Sequence, residues 1–222
     1  MAFNVDLFKN AGLIYGGARP SLFQVDLTFP AELGNGALVS QRFSFTCRAS
    51  SIPSSSVDAI DVPYFGRKIK LAGDRTFQNW SVTVMNDEDY SVRNSFEEWS
   101  NSLNSLVGNQ RIISAATGGT LGSPTGSTAG YKADATVTHF SKGGISGSAG
   151  TNGNATIIRQ YSFVGIFPID VAAMALDWDS TNQIQTFDVT FAYDYWLPLN
   201  SGINTGAAGN LTNNTKSAGK NG

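Results

Sequence analysis

Val62–Leu106 reads VPYFGRKIKLAGDRTFQNWSVTVMNDEDYSVRNSFEEWSNSLNSL, and the change of hydrophobic period inside it decides the fold. Lys68, Ile69, Lys70 and Leu71 alternate basic and apolar after a tight Phe65-Gly66 turn, which predicts a hairpin strand with two unlike faces. Trp80, Val82 and Val84 alternate with polar residues and form the next strand. The period then lengthens. Val92, Phe96, Trp99, Leu103 and Leu106 recur at spacings of four, three, four and three, a single apolar stripe on one helix. Asp87, Glu88 and Asp89 precede that helix, where carboxylates favour its positive N-terminus. A stripe headed by large aromatics must be buried, and the apolar face of the neighbouring sheet is the available partner.

Strand signals dominate the rest of the chain. Phe23, Val25, Leu27 and Phe29 alternate with Gln24, Asp26 and Thr28, and Phe43, Phe45 and Cys47 alternate with Ser44 and Thr46. Ala135–Phe140, Ile157–Phe167 and Gln185–Tyr195 read the same way. In the last, Phe187, Val189, Phe191, Tyr193 and Tyr195 form the apolar side, opposite Thr186, Asp188 and Thr190. The expected fold is mainly β: an antiparallel sandwich or barrel carrying one packed amphipathic helix. A single domain over 1–199 is expected, interrupted by Gly-rich loops at 115–130 and 142–155. The tail 200–222 has little to bury and is expected to be flexible.

At 222 residues the chain is long enough for one well-buried core. Charged residues are only 14%, so the surface has little solvation to spare, as befits a surface covered by other subunits. The net charge of −2 gives no basic footprint for nucleic acid. The single cysteine, Cys47, excludes a disulfide framework within the chain and reads as a small buried hydrophobe. MAFNVDLFKNAG lacks the basic start and long apolar core of a signal peptide. No run approaches the roughly 18 apolar residues of a membrane helix. First folding in a cytoplasm, with no membrane anchoring, is the expectation.

No catalytic constellation emerges. His139 has no second histidine or cysteine near it in sequence, so a zinc role is not expected. Asp134 and several serines would supply the remaining members of a Ser-His-Asp set, yet no GxSxG elbow accompanies them. The Asp87-Glu88-Asp89 cluster and the Asp177/Asp179 pair lack calcium-loop spacing and read as a helix cap and a turn. In the run from Lys142, the lysine precedes the glycines instead of closing a phosphate loop. No enzyme, cofactor or metal is therefore expected. Arg67, Lys68, Lys70 and Arg75, beside Tyr64 and Phe65, are the one local basic cluster. Subunit contact is favoured over nucleic acid for these six residues, given the charge balance.

Several segments together carry a family likeness: Val62–Asp87, FEEWSNSLNSL (Phe96–Leu106), DATVTHF (Asp134–Phe140), YSFVGIFPIDVAAMALDWDS (Tyr161–Ser180) and FDVTFAYDYW (Phe187–Trp196). In this order they resemble the tail tube protein family of T4-like contractile phages, over about residues 20 to 197. The resemblance implies a β-sandwich protomer assembling into hexameric rings, stacked as a hollow tube inside a contractile sheath. It implies a baseplate and a tape-measure protein as partners, and DNA passing through the lumen without specific binding. The virion tail is the implied location, after assembly in the host cytoplasm. Hairpin Val62–Gly73 and the preceding loop Ser50–Asp61 would be ring-stacking elements, with helix Val92–Leu106 on the outer side. Gln24, Asp26 and Thr28, with Thr186, Asp188 and Thr190, would face the lumen, because neutral or acidic walls avoid gripping DNA. Two other readings share parts of this pattern. One is the tube of a secretion or contractile injection apparatus. The other, motivated by Trp80 and Trp196, is a carbohydrate-binding β-sandwich.

Overall fold

The computed structural model describes residues 17–30, 33, 36–109, 130–142 and 157–199. The predicted loops at 115–130 and 142–155 lie outside the described residues except at Gly130 and Lys142, and the tail 200–222 lies wholly outside them. In chain order the elements are β1 (Phe23–Leu27), α1 (Gly36–Thr46), β2 (Cys47–Ser50), β3 (Ser55–Tyr64), β4 (Arg67–Phe77), β5 (Trp80–Met85), α2 (Ser91–Leu103), β6 (Ala133–Phe140), β7 (Ile157–Val171), β8 (Thr186–Ala192) and β9 (Tyr195–Leu199). Seven strands form one sheet, ordered β1-β6-β7-β8-β5-β2 with β9 also pairing β7, while β3 and β4 form a separate two-stranded ribbon. The fold is mainly β, as the alternating sequence predicts.

The chain divides into two compact units, one built from Val25–Ala135 and Phe163–Trp196, the other from Met1–Gln24, Thr136–Ser162 and Leu197–Gly222. The larger unit holds an aromatic core. β5 and β8 pair antiparallel with Trp80 opposite Phe191, Val82 opposite Val189 and Val84 opposite Phe187, all buried. Trp80 stacks on Phe163, centroids 4.5 Å apart and planes 11° from parallel, and its indole N–H donates to Ser50 Oγ at 3.1 Å. The α2 stripe packs here too: Phe96 lies 5.0 Å from Phe29 and 5.8 Å from Phe191, and Trp99 Nε1 donates to the Tyr131 carbonyl at 2.8 Å. Burying each such side chain contributes roughly 1.5–3 kcal/mol. In the smaller unit, Phe140 N donates to Leu22 O at 2.8 Å and Gln160 Nε2 to Thr138 Oγ1 at 3.3 Å.

Three expectations need correcting. The alternation of Phe43, Phe45 and Cys47 is not a strand: Phe43 and Phe45 belong to helix α1, so Phe43 is fully buried while Phe45 stands exposed. Helical spacing wins because Val39 and Phe43, four residues apart, are the buried pair, and Phe43 meets Phe29 and Phe96 edge-on. The described residues therefore contain two helices. The stripe helix ends at Leu103, and Leu106 is exposed beyond it. The last predicted strand also breaks in two. Asp194 sits at a bend between β8 and β9, its N–H donating to Val164 O at 3.0 Å and its carboxylate held by Lys132 Nζ at 2.8 Å.

The N-cap of α2 is Tyr90, which makes no side-chain cap bond, and Asp89 just before it serves the first helical N–H. Asp89 Oδ1 accepts the Ser91 N–H at 3.0 Å, and Arg42 from α1 closes on the same carboxylate. The Ser91 bond first, then the Arg42 guanidinium, hold Asp89 below the usual carboxylate range.

Candidate functional site

Ribbon β3–β4 is exposed along nearly its whole length. Its register pairs Ile60 with Leu71, Val62 with Ile69 and Tyr64 with Arg67, and directly opposed residues share a face. The other face pairs Ala59 with Ala72, Asp61 with Lys70 and Pro63 with Lys68. One side is thus apolar and bare. The other is ionic: the Asp61 carboxylate takes Lys70 Nζ at 2.9 Å and Lys68 Nζ at 3.4 Å. These pairs are solvent-exposed and contribute little stability. The segment expected as a loop at Ser50–Asp61 is half strand, since β3 begins at Ser55.

The ribbon turns through Phe65 and Gly66, with φ of 42° and 79°. Positive φ at both central residues is the two-residue turn that matches strand twist. Gly66 adopts it freely, whereas a bulky residue there is strained by roughly 1–2 kcal/mol. Phe65 is nonetheless 92% exposed, touching Tyr64 edge-on at 4.6 Å. Phe65 thus combines a left-handed backbone with a ring turned to solvent. Towards the base, register skips between Val57 and Ala59, setting Gly73 against Asp58. A side chain at Gly73 would come within 3.0 Å of the Asp58 carbonyl and 3.1 Å of Ile60 Cγ1.

Of the six predicted contact residues, Tyr64, Phe65, Arg67, Lys68 and Lys70 gather at the tip. Arg67 shares the apolar face with Tyr64, opposite the two lysines. Arg75 stands apart beyond the bulge, opposite Val57, donating to Ser55 Oγ at 3.1 Å. The four cations are not one cluster, because pairing distributes them over both faces and both ends.

The predicted polar wall is partly assembled. Thr186, Asp188 and Thr190 oppose Met85, Thr83 and Ser81, on the side of β8 away from buried Phe187, Val189 and Phe191. Thr83 Oγ1 donates to Asp188 Oδ1 at 2.6 Å, and Asp170 of β7 pairs with Thr190. No lysine or arginine occupies these registered positions. Gln24, Asp26 and Thr28 alternate with buried Val25, Leu27 and Phe29 as predicted, but on β1 and just after it, a strand separated from β8 by β6 and β7.

One feature escaped sequence reasoning. Between β7 and β8 a turn holds Trp178 at 99% exposure, with Leu176 and Ile184 also exposed. Asp177 organises the turn, its Oδ1 accepting the Asp179 N–H at 3.1 Å and its carbonyl the Ser180 N–H at 3.4 Å. The Asp177/Asp179 pair was legible as a turn; a tryptophan between two aspartates gave no sign of its exposure.

His139 Nε2 donates to the Arg19 carbonyl at 2.7 Å, and Asp134 Oδ1 accepts the Gly165 N–H at 3.0 Å. Each has a structural use. Among the described residues no group of three or more His, Cys, Asp or Glu is placed to hold a metal ion. Cys47 is half-buried, and burial pushes its thiol up to about 12. Of the two tryptophans that motivated a glycan reading, Trp80 is wholly buried and Trp196 half-buried.

Residues 18–198 match the family model for phage tail tube proteins. The chain is 37% identical over 179 residues to tail tube protein gp19 of Enterobacteria phage T4, covering 81% of this chain and 90% of that protein. Among solved structures it is similar to a chain of the anti-feeding prophage baseplate, with a TM-score of 0.55 at 11% identity, covering 84% of this chain and 98% of that one. It is also similar to a chain of an extracellular contractile injection system sheath/tube terminator, with a TM-score of 0.52 at 15% identity, covering 84% and 99%. These two likenesses concern the fold alone.

Proposed function

The chain belongs to the phage tail tube protein family, a structural component of contractile-tailed virions, and on that premise we propose how its surfaces build the tube. Six copies close into a ring, and rings stack into a hollow conduit for the genome inside a contractile sheath. The observation that carries this reading is the 37% identity to the phage T4 tail tube protein across nearly its full length. The geometry supports it at two surfaces.

The first is the ribbon. Ile60, Val62, Ile69 and Leu71 form an apolar strip left bare in the single subunit, which costs solvation until something covers it. Ring-to-ring contact covers it, with Tyr64, Phe65, Arg67, Lys68 and Lys70 at the seam and Arg75 nearer the base. The second is the wall formed by Thr186, Asp188 and Thr190, which faces the lumen together with Gln24, Asp26 and Thr28. Hydroxyls and carboxylates neutralise no phosphates, so DNA slides past without being held. The sheath, baseplate and tape-measure protein are the partners of such a tube, assembled in the host cytoplasm, and its work involves no catalytic step.

Negative-stain electron microscopy of the purified chain at high concentration, with its solution mass, tests the reading. Six-membered rings or tubes with a central channel are the expected result. A chain that stays monomeric even when supplied with a baseplate would overturn it. A tube in an injection apparatus rests on fold likeness at 11–15% identity, whereas the phage assignment rests on sequence.

A further inference from the structure

We propose that the Trp178 turn is the receiving site for the ribbon tip of a second copy of this chain, so that subunits join head to tail. The proposal rests on the tube reading and names the surface that meets the ribbon. Three independent observations lead to it.

The first is position. In the larger unit, β5 runs from Trp80, opposite Phe191, to Met85, opposite Thr186. The ribbon leaves the sheet at the Trp80 end, through 51–54 after β2 and 78–79 before β5. The Trp178 turn closes the Met85 end, since its loop runs from Val171 of β7 to Thr186 of β8. Six residues of strand at about 3.3 Å each set the two roots about 20 Å apart, at opposite ends of the same strands. Surfaces at opposite ends that fit one another make a heterologous contact, which repeats along one direction.

The second is exposure on an ordered support. Trp178 is 99% and Phe65 92% exposed, so neither is covered by its own subunit. The loop carrying Trp178 is nevertheless pinned. Arg93 Nη1 donates to Ala172 O at 2.8 Å, Ala172 N to Asp188 O at 2.9 Å and Gln185 Nε2 to Ala175 O at 3.3 Å. Arg93 is itself buried, paired with Glu97 at 2.6 Å and lying over the Phe187 ring at 5.0 Å. A tryptophan presented on a rigid turn loses little freedom on docking, which is why such residues dominate interface energetics.

The third is charge. Asp177 and Asp179 flank Trp178, and both are exposed. The ribbon tip carries three cations, Arg67, Lys68 and Lys70, against the single carboxylate Asp61. An anionic aromatic turn thus faces a cationic aromatic tip, and the indole offers its ring to a guanidinium or ammonium. A second ribbon or a second turn would oppose like charges. This selects the head-to-tail partner.

The test uses the full chain carrying Cys47→Ser, so that no other thiol is present. Phe65→Cys and Trp178→Cys introduced together should give, on mild oxidation of assembled material, a ladder of disulfide-linked oligomers. Either cysteine alone should give none. In parallel, Asp177→Lys with Asp179→Lys, and Lys68→Asp with Lys70→Asp, should each raise the concentration needed for tubes at least tenfold. All four changes combined should restore assembly. Monomer circular dichroism and thermal midpoint serve as fold controls. Wild-type tubes with no ladder, or with charge variants that assemble unchanged, would overturn this contact and leave the tube reading intact. A wild-type chain that forms neither rings nor tubes with a baseplate would instead overturn the tube reading and the contact with it.

Discussion

The Asp194 carboxylate occupies the space that a side chain at Gly165 would need. Gly165 lies in β7 with φ of +68°, and a methyl group built there would collide with Asp194 Oδ2 and reach 3.0 Å from its Cγ. Lys132 fixes that carboxylate at 2.8 Å to both oxygens, and Asp194 N–H donates to the Val164 carbonyl. A left-handed residue in one strand is thus locked to the break between two others.

Gly165→Ala should therefore destabilise the subunit by about 2 kcal/mol or more, from left-handed backbone cost plus displacement of the carboxylate. Urea denaturation measures it. Pairing the change with Asp194→Ala should recover the collision part but not the backbone part, a coupling that a double-mutant cycle reads directly.

Phe65→Asn should raise monomer stability by about 1 kcal/mol, because asparagine tolerates the left-handed region in which Phe65 is held. The same change should weaken polymerisation. Thermal unfolding of the monomer and sedimentation of tubes are the paired measurements. A Phe65→Asn chain that assembles as well as the wild type would mean the exposed ring is not used.

Asp89 titrates lower folded than unfolded, so its contribution to stability is present above the unfolded value near 4 and is lost as pH falls through the lower folded value. Stability should decline on acidification below about pH 4. Asp89→Asn should flatten part of that slope, seen by comparing urea midpoints at pH 3 and pH 6.

Cys47 behaves oppositely. Burial raises its pKa to about 12, so stability is full below the unfolded value near 8.5 and is lost as pH rises towards 12. Native chain at pH 8 should resist alkylation by iodoacetamide, while urea-unfolded chain should react fully; mass spectrometry distinguishes them.

Asp188→Lys should leave ring and tube formation intact while conferring salt-sensitive retention of DNA, because each added cation in the wall releases phosphate counterions. Filter binding across a salt series checks it. Tubes that remain indifferent to DNA would place Asp188 away from the channel.

Much of this was legible in the chain because the decisive signals were local. The turn at Phe65-Gly66, the two faces of 68–71 and the buried stripe through Phe96 and Trp99 follow from period and turn chemistry alone. What failed depends on distant partners. α1 has no apolar stripe of its own, and its helical form follows from Val39 and Phe43 being buried, with Phe43 against Phe29 and Phe96. The run from Phe187 to Tyr195 alternates without interruption, yet the strand breaks at Asp194, whose carboxylate pairs with Lys132, 62 residues away. Trp178 resembles a core residue by type, and only the tertiary position of its turn turns it outward.

The manner in which the ribbon is rooted has a mechanical consequence. It joins its unit through two short connections, tied where Gln78 N donates to Ser54 O at 3.1 Å and where Phe77 leans on Tyr193 and Trp196. Ten residues of extended chain make a lever about 33 Å long. Tilting that lever by about 3° at its root moves the tip by about 2 Å. In the proposed stack of rings, such cantilevers would flex at their roots and let the filament bend while its seams stay closed.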